Sequence, residues 1–491
     1  MYKTVIGLEV HVQLLTRTKL FCGCSTKFGL PPNSATCQIC LGKPGVLPVM
    51  NRRAFDLALR AALALNCKIA GFTKWDRKNY YYPDLPKNYQ VSQYDLPFSE
   101  HGFLEINVAA DPKKEFTPKR IGIIRAHLEE DAGKLMHDES GGRGDSKVDL
   151  NRAGTPLLEI VSEPDMSSPE ETVAYLNEIR LLLRELGISD CEMQEGSLRC
   201  DANVNIHIPQ PDGSHAATPI VEVKNLNSIR SVERAMKYEA GRQFEEFQKT
   251  GKRFGEVPKA TAGWDDVRGV TKVQRRKEEA SDYRYFPEPD LVPVEVDDAW
   301  LNRVKAELGE LPGAQRTRLA QQYGLSIYDS NVLTHQGRKV VAYFEELAKQ
   351  CGDAKTAANW ITNKLLAASK PDMDSESVFP ITASGLAGLL AEQKSMGLTK
   401  QIAEQVFDLM LAEHIDAKAA IAKLGITAVD ESKLADIVRR AIADNAKAVE
   451  DYKKGKTAAA QKIKGAVMKE TKGAVKPDVV DRLLAEELGT V

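Results

Sequence analysis

Strict two-residue alternation of apolar and polar side chains, repeated in separate stretches, most constrains how this chain can fold. From Thr4 to Leu15, Leu8, Val10, Val12 and Leu14 alternate with Glu9, His11 and Gln13. A period of two is that of a half-buried β-strand, so the three polar groups share one face. Arg199 to Ile208 repeats the plan: Cys200, Ala202, Val204, Ile206 and Ile208 face one way, Arg199, Asp201, Asn203, Asn205 and His207 the other. Val221 and Val223 alternate with Glu222 and Lys224, and Arg120 to Asp131 starts apolar and ends in His127, Glu129, Glu130 and Asp131. Several strands presenting acids, amides and bases on one side predict an antiparallel sheet with a wet, functional face. A merely solvated face is the alternative for any one strand taken alone.

Helical patterns interrupt the strands at Arg52–Leu65, at Pro169–Leu186 behind a Ser167 or Ser168 cap, and at Ser228–Lys249. After about Pro293, Ala, Leu, Lys and Glu at helical spacing replace glycine and strand patterns. The expected fold class is therefore α+β: a sheet domain over 1–292, a helical domain over 293–408 and a helical tail over 409–491. The tail beyond Ser432 reads as three short helices, with Gly473 and Pro477 as stop and restart between the last two. A chain of 491 residues exceeds one core, so several domains are expected. Lys plus Arg (67) nearly balance Asp plus Glu (69), which leaves no global field to steer nucleic acid, only local basic patches. The N-terminus lacks a signal peptide pattern and no apolar run reaches membrane-spanning length, so a cytoplasmic protein without a membrane partner is expected.

In that compartment clustered thiols more often bind metal than form disulfides. Cys22, Cys24, Cys37 and Cys40 form a C-x-C…C-x-x-C set, with Gly23 and Gly42 easing the turns. Four such ligands suit a closed, structural zinc site; a group of reduced, buried thiols is the alternative. Glu9 and His11 could hold a divalent cation together with Glu130, Glu129 or Asp131. Such a sparse carboxylate set suits Mg²⁺ beside substrate phosphates, and the imidazole admits Mn²⁺; a surface ion pair is the bland alternative. No P-loop, dinucleotide fingerprint, kinase signature or G-x-S-x-G occurs.

Longer motifs then become specific. They are Gly7-Leu8-Glu9-Val10-His11, Asp76 to Pro86, His127 to Lys134, Asp149 to Leu157, Glu195 to Asp201, Lys224 to Asn227 and Asp282 to Asp290. In that order, across essentially the whole chain, they resemble the GatB family, which belongs to the tRNA-dependent amidotransferases (GatCAB) that act on Asp/Glu-tRNA(Asn/Gln). One departure is Lys259-Ala260-Thr261-Ala262, where the family usually has Gln-Glu-Thr-Arg.

The resemblance implies a cradle domain on an antiparallel sheet, a helical domain and a YqeY-like tail that grips tRNA. It implies ATP, Mg²⁺ and structural Zn²⁺ as cofactors and misacylated tRNA as substrate. The partners it implies are an amidase/glutaminase (GatA) and a small third protein (GatC), which complete a heterotrimer. ATP would phosphorylate the side-chain carboxylate of the misacylated residue and ammonia would then displace phosphate. That division of labour accounts for the missing amidase motif. The family's Mg²⁺ ligands match Glu9, His11 and Glu130, and its zinc ligands match Cys22, Cys24, Cys37 and Cys40. Lys78, Arg152, Arg199 and Asp201 are further catalytic candidates, and Glu129, Lys224 and Asn225 cofactor contacts. The basic side chains among them are equally suited to ion pairing. Tyr80, Tyr81 and Tyr82 could stack on the terminal adenine of tRNA or pack. In the tail, Lys456, Lys464, Lys469 and Lys472 are candidate tRNA phosphate contacts.

Overall fold

The computed structural model describes residues 2–108, 116–137, 146–276, 283–371, 377–426, 431–453, 459–471 and 477–489. The chain divides into two compact units, Met1–Gln315 and Arg316–Val491. The first is built on one large sheet. Its spatial order runs Val270–Arg276, Ala260–Asp265, Val221–Lys224, Leu198–Pro209, Lys3–Gln13, Pro156–Ser162, Thr117–Glu130, Ser99–Val108 and Lys68–Ile69, with His215–Ala217 beside Leu198–Pro209. Its described strand pairs are antiparallel except Val221–Lys224 with Ala260–Asp265.

Alternation along these strands divides the sheet into an oily and a polar face. Leu8, Val10, Val12, Leu128, Leu158, Ile160, Ala202 and Val204 are all fully buried. They join one core with Phe55, Leu59, Tyr175, Leu183, Val232 and Met236 from three covering helices. Those helices, Arg52–Ala64, Pro169–Glu185 and Ile229–Thr250, lie within one residue of the expected spans. Asn51, Ser168 and Ser228 each accept a backbone N–H at the helix start, which satisfies donors no helical carbonyl can reach.

The helical character sets in at about the expected place, but the first unit continues to Gln315 rather than ending at 292. The helix Asp298–Ala306 packs on Arg52–Ala64: the Trp300 indole donates to Asp56 at 2.6 Å, and Arg303 does so at 2.7 Å. Beyond it, one apolar cluster draws on residues from Leu319 to Ile421 and another on residues from Leu434 to Leu484. Met410 and Ile421 belong to the first of these, so an expected break at 408/409 falls inside a packed core. Among the described residues the tail shows four helices where three were expected: Glu431–Asp444, Ala446–Lys453, Ala460–Glu470 and Pro477–Leu488. Asn445 separates the first two, its side chain donating back to the Ala441 carbonyl. Gly473 lies outside the described residues. Among the described residues no helix is long and apolar enough to cross a membrane.

The oily face makes a direct forecast. Replacing the fully buried Leu158 by Ala in mid-sheet should lower stability by about 3 kcal/mol through lost transfer energy and a residual cavity. A chemical-denaturation midpoint unchanged from the parent would contradict the packing described.

Candidate active site

Register places one row of ionisable groups across four adjacent strands. Glu159 stands opposite His127 on one side and opposite His11 on the other, and His11 stands opposite Arg199. His11 Nε2 lies 3.4 Å from Glu159 and 3.7 Å from Glu129; His127 Nε2 lies 3.6 and 3.9 Å from the same two carboxylates. His127, Glu129 and Glu159 are buried. Burial disfavours charge on His11, but the hydrogen bond to Glu159 and the surrounding carboxylates overcome it and raise its pKa to about 9. His127 goes the other way, to about 4: burial dominates, and nearby Arg125, Lys78 and His11 reinforce it. Burial opposes ionising Glu159, yet the two imidazoles hold its carboxyl well below the usual range. Glu129 is pushed up by burial and by Glu159. The His127 Nδ1 has no hydrogen-bond partner among the described residues. Imidazole and carboxylate donors that converge within a few ångströms can hold a divalent cation, and His11, Glu129 and Glu159 form such a group.

The expected trio of Glu9, His11 and Glu130 is not gathered. Side chains alternate along Thr117–Glu130, so if Glu129 meets His11, Glu130 must lie on the side of Leu128. There its carboxylate pairs with Lys87 and accepts the Val91 backbone N–H at 3.0 Å. Glu9, two residues from His11, joins a separate group with Asp201 and Glu222. It accepts from Asn203 Nδ2 at 2.9 Å, while Lys224 bridges Asp201 and Glu222.

Sequence reasoning did not mark Glu159 and His127 as ligands. The signal for Glu159 is a lone acid inside the apolar run Leu157-Leu158-Glu159-Ile160-Val161. Only pairing on both sides reveals its neighbours.

The turn after Glu130 ties the row down. Asp131 receives Gln13 at 2.7 Å and Arg199 at 2.8 Å, with Arg152 at 3.6 Å. Arg152 also donates to the Ala132 carbonyl, so it staples this turn. Lys78 is half-buried, its ammonium 5.3 Å from the Tyr283 ring centre and 5.9 Å from that of Tyr80. Burial would lower its pKa, but the Glu129 charge reverses this and raises it. Tyr80 packs against Tyr82 and Tyr283, whereas Tyr81 is 77 % exposed. Asn225 turns away in a left-handed backbone conformation and donates to the Trp264 carbonyl.

The four cysteines converge too. Cys37 and Cys40 sulfurs are 3.9 Å apart, close to the roughly 3.8 Å edge of a tetrahedron with 2.3 Å metal–sulfur bonds. The Cys37 N–H donates to the Cys40 sulfur, and the fully buried Lys19 places its ammonium 3.6 Å from it. A hydrogen bond from Cys22, the Cys37 N–H and the Lys19 charge all favour the Cys40 thiolate. Beside the cluster a cavity of about 240 Å³ is lined by Lys19, Cys40, Arg77, Lys87, Glu130 and Glu288.

In the helical unit, Lys464 is paired with Asp481 and Lys469 is exposed. Lys456 and Lys472 lie outside the described residues.

Asp131→Asn tests the buried anchor. Arg199 and Arg152 would lose their shared counter-charge at a loss of about 2–3 kcal/mol. Burial opposes ionising Asp131, but Arg199 and Arg152 depress its folded pKa below the unfolded value. Its contribution is therefore present above the unfolded pKa and fades as pH falls through the folded one. Urea titrations across pH should show a shallower acid limb in the variant; parallel limbs would refute the anchor.

Residues 4–302 match the GatB/GatE catalytic domain and residues 342–488 the GatB domain. Proteins named as the B subunit of aspartyl/glutamyl-tRNA(Asn/Gln) amidotransferase are similar over nearly the full length. That of Rhodopirellula baltica is 48% identical, over 98% of this chain and 96% of its own. Those of Moorella thermoacetica (48%, over 99% and 100%) and Carboxydothermus hydrogenoformans (47%, over 99% of both chains) are equally close in extent. The chain belongs to the GatB family, the B subunits of the aspartyl/glutamyl-tRNA(Asn/Gln) amidotransferases.

Proposed function

We propose that the polar face of the sheet carries the ATP-dependent step of transamidation. A side-chain oxygen of Glu or Asp misacylated onto tRNA(Gln) or tRNA(Asn) attacks the γ-phosphorus of ATP and ADP leaves. Ammonia then attacks the acyl carbon and inorganic phosphate leaves with the C–O electron pair. A carboxylate is a poor acyl donor, and converting it to an acyl phosphate supplies the missing leaving group. The reading is supported above all by the convergence of His11, Glu129, Glu159 and His127 in one row beside Lys78. His11, Glu129 and Glu159 would hold Mg²⁺ or Mn²⁺, with Glu9, Asp201 and Glu222 as the neighbouring acids. A divalent cation there supplies charge neutralisation for a transferring phosphoryl group. The chain's own residues position and balance charge. Asp131 fixes Arg199, Lys224 neutralises Asp201 and Glu222, and Lys78 faces Glu129 with a cation that stays protonated.

Ammonia would come from the glutaminase GatA, with the small protein GatC completing a heterotrimer in the cytoplasm. Exposed lysines of the tail, Lys462 and Lys469 among them, would meet tRNA phosphates. In domain terms the first unit is the catalytic cradle and the cluster from Leu434 to Leu484 the core of the tRNA-binding tail.

Glu129→Gln and Glu159→Gln should each reduce misacylated-tRNA-dependent ADP release about 100-fold or more, with tRNA affinity retained. Normal turnover in both variants would eliminate the assignment of the row.

The four cysteines would hold Zn²⁺, and with every position filled by protein its role is structural. Protein purified without chelator should carry about one zinc per chain. Cys37→Ser should lose the metal and melt several degrees earlier. Metal-free protein of unchanged thermal stability would remove the claim.

A further inference from the structure

An aromatic pair with one exposed member stands at the edge of the acid–histidine row without a part in the scheme above. The rings of Tyr94 and Tyr285 lie parallel, 4.0 Å between centres and 7° between planes. Tyr285 continues edge-to-face into Tyr283, and Tyr283 into the Lys78 ammonium at 5.3 Å. Tyr285 also feels the Lys78, Glu129 and Glu159 charges, so the stack adjoins the proposed phosphoryl-transfer site. Tyr285 is half-buried, whereas Tyr94 is 45 % exposed. Tyr285 covers one face of the Tyr94 ring, and much of the remaining ring surface is exposed among the described residues.

The loop that presents Tyr94 is anchored on both flanks. Its backbone N–H donates to Asp76 at 2.9 Å. Fully buried Gln93 before it donates to Thr73 Oγ1 and accepts the Leu128 N–H, and Asp95 after it pairs with Lys74 at 2.9 Å. A large ring left open on a loop held this firmly loses little entropy when a further ring stacks on it.

We propose that the outer face of Tyr94 is a stacking platform for an adenine ring. The geometry fits a planar base: a flat, pre-ordered two-ring stack, one end half-buried toward the reacting groups and the other exposed. Aromatic side chains bind bases in this way with little preference among them. This rests on the ATP- and tRNA-dependent reading above, which brings two adenines to the site, one in ATP and one at the 3′ end of tRNA.

The test uses the full chain in its native complex and reads binding alone. One arm titrates ATP; the other titrates an acceptor-stem RNA ending in CCA against the same RNA ending in CC. Tyr94→Ala should weaken one ligand about 5- to 150-fold, while Tyr94→Phe, which keeps the ring, should bind as the parent does. Loss confined to ATP assigns the nucleotide's adenine. Loss confined to the CCA-ended RNA, with the advantage over CC abolished, assigns the terminal adenosine. Parent-like binding by Tyr94→Ala in both arms overturns the proposal, as does an equal loss in Tyr94→Phe, which would implicate the hydroxyl. Failure of the phosphorylation reading shows separately, as undiminished ADP release in Glu129→Gln.

Discussion

The functional architecture depends on the pairing of Glu159 with a histidine on each side. A lone carboxylate at that depth would give up its charge, because desolvation is not repaid by distant counter-charges. Here His11 and His127 flank it across adjacent strands at 3.4 and 3.6 Å, and the protonated His11, with Lys78 nearby, keeps it ionised in the sheet. The two imidazoles then diverge. His11, surrounded by acids, holds its proton more tightly than usual, and His127, buried beside cations, hardly takes one. Glu159 thus favours the proton on His11, whereas burial and the neighbouring cations outweigh it at His127.

Such a row is possible because the opposite face of the same strands is oily and fully covered. The helices Arg52–Ala64, Pro169–Glu185 and Ile229–Thr250 bury Ile6, Leu8, Val10 and Val12 of Lys3–Gln13 and the corresponding positions of its neighbours. Hydrophobic burial on one side fixes the register, and register decides which charges meet on the other. A slip of one residue would turn Glu159 into the core and Leu158 toward His11. The turn that follows Glu130 reinforces the same registration, since Asp131 takes bonds from Gln13 and Arg199 on two other strands.

Gly154 shows how closely the second layer is fitted. It has a left-handed φ of +85°, and a side chain there would stand among Lys19, Cys40 and Glu130. Its carbonyl accepts the Leu20 N–H, and its N–H reaches the Asp131 carbonyl. The backbone at this point therefore links the cysteine cluster to the acid row.

Much of this was legible in the residues. Alternation over Thr4–Leu15 and Arg199–Ile208 placed Glu9, His11, Gln13, Arg199 and Asp201 on one face, and caps and apolar spacing placed three helices to within a residue. The cysteine spacing pointed to a convergent set, because neighbouring ligands are brought together by the local turns themselves. Local periodicity carries such information, since it needs only the geometry of one strand, helix or turn. Which strand lies beside which is not local. Glu159 enters between the two histidines because Pro156–Ser162 inserts between Lys3–Gln13 and Thr117–Glu130, which also brings Glu129 rather than Glu130 to His11 by alternation. Glu9 joins Asp201 and Glu222 because Leu198–Pro209 and Val221–Lys224 lie on the other side. The sequence by itself determined the faces of the strands and the extents of the helices. Only the tertiary structure decided the partners across the sheet, because strand order and register come from burying every oily face at once.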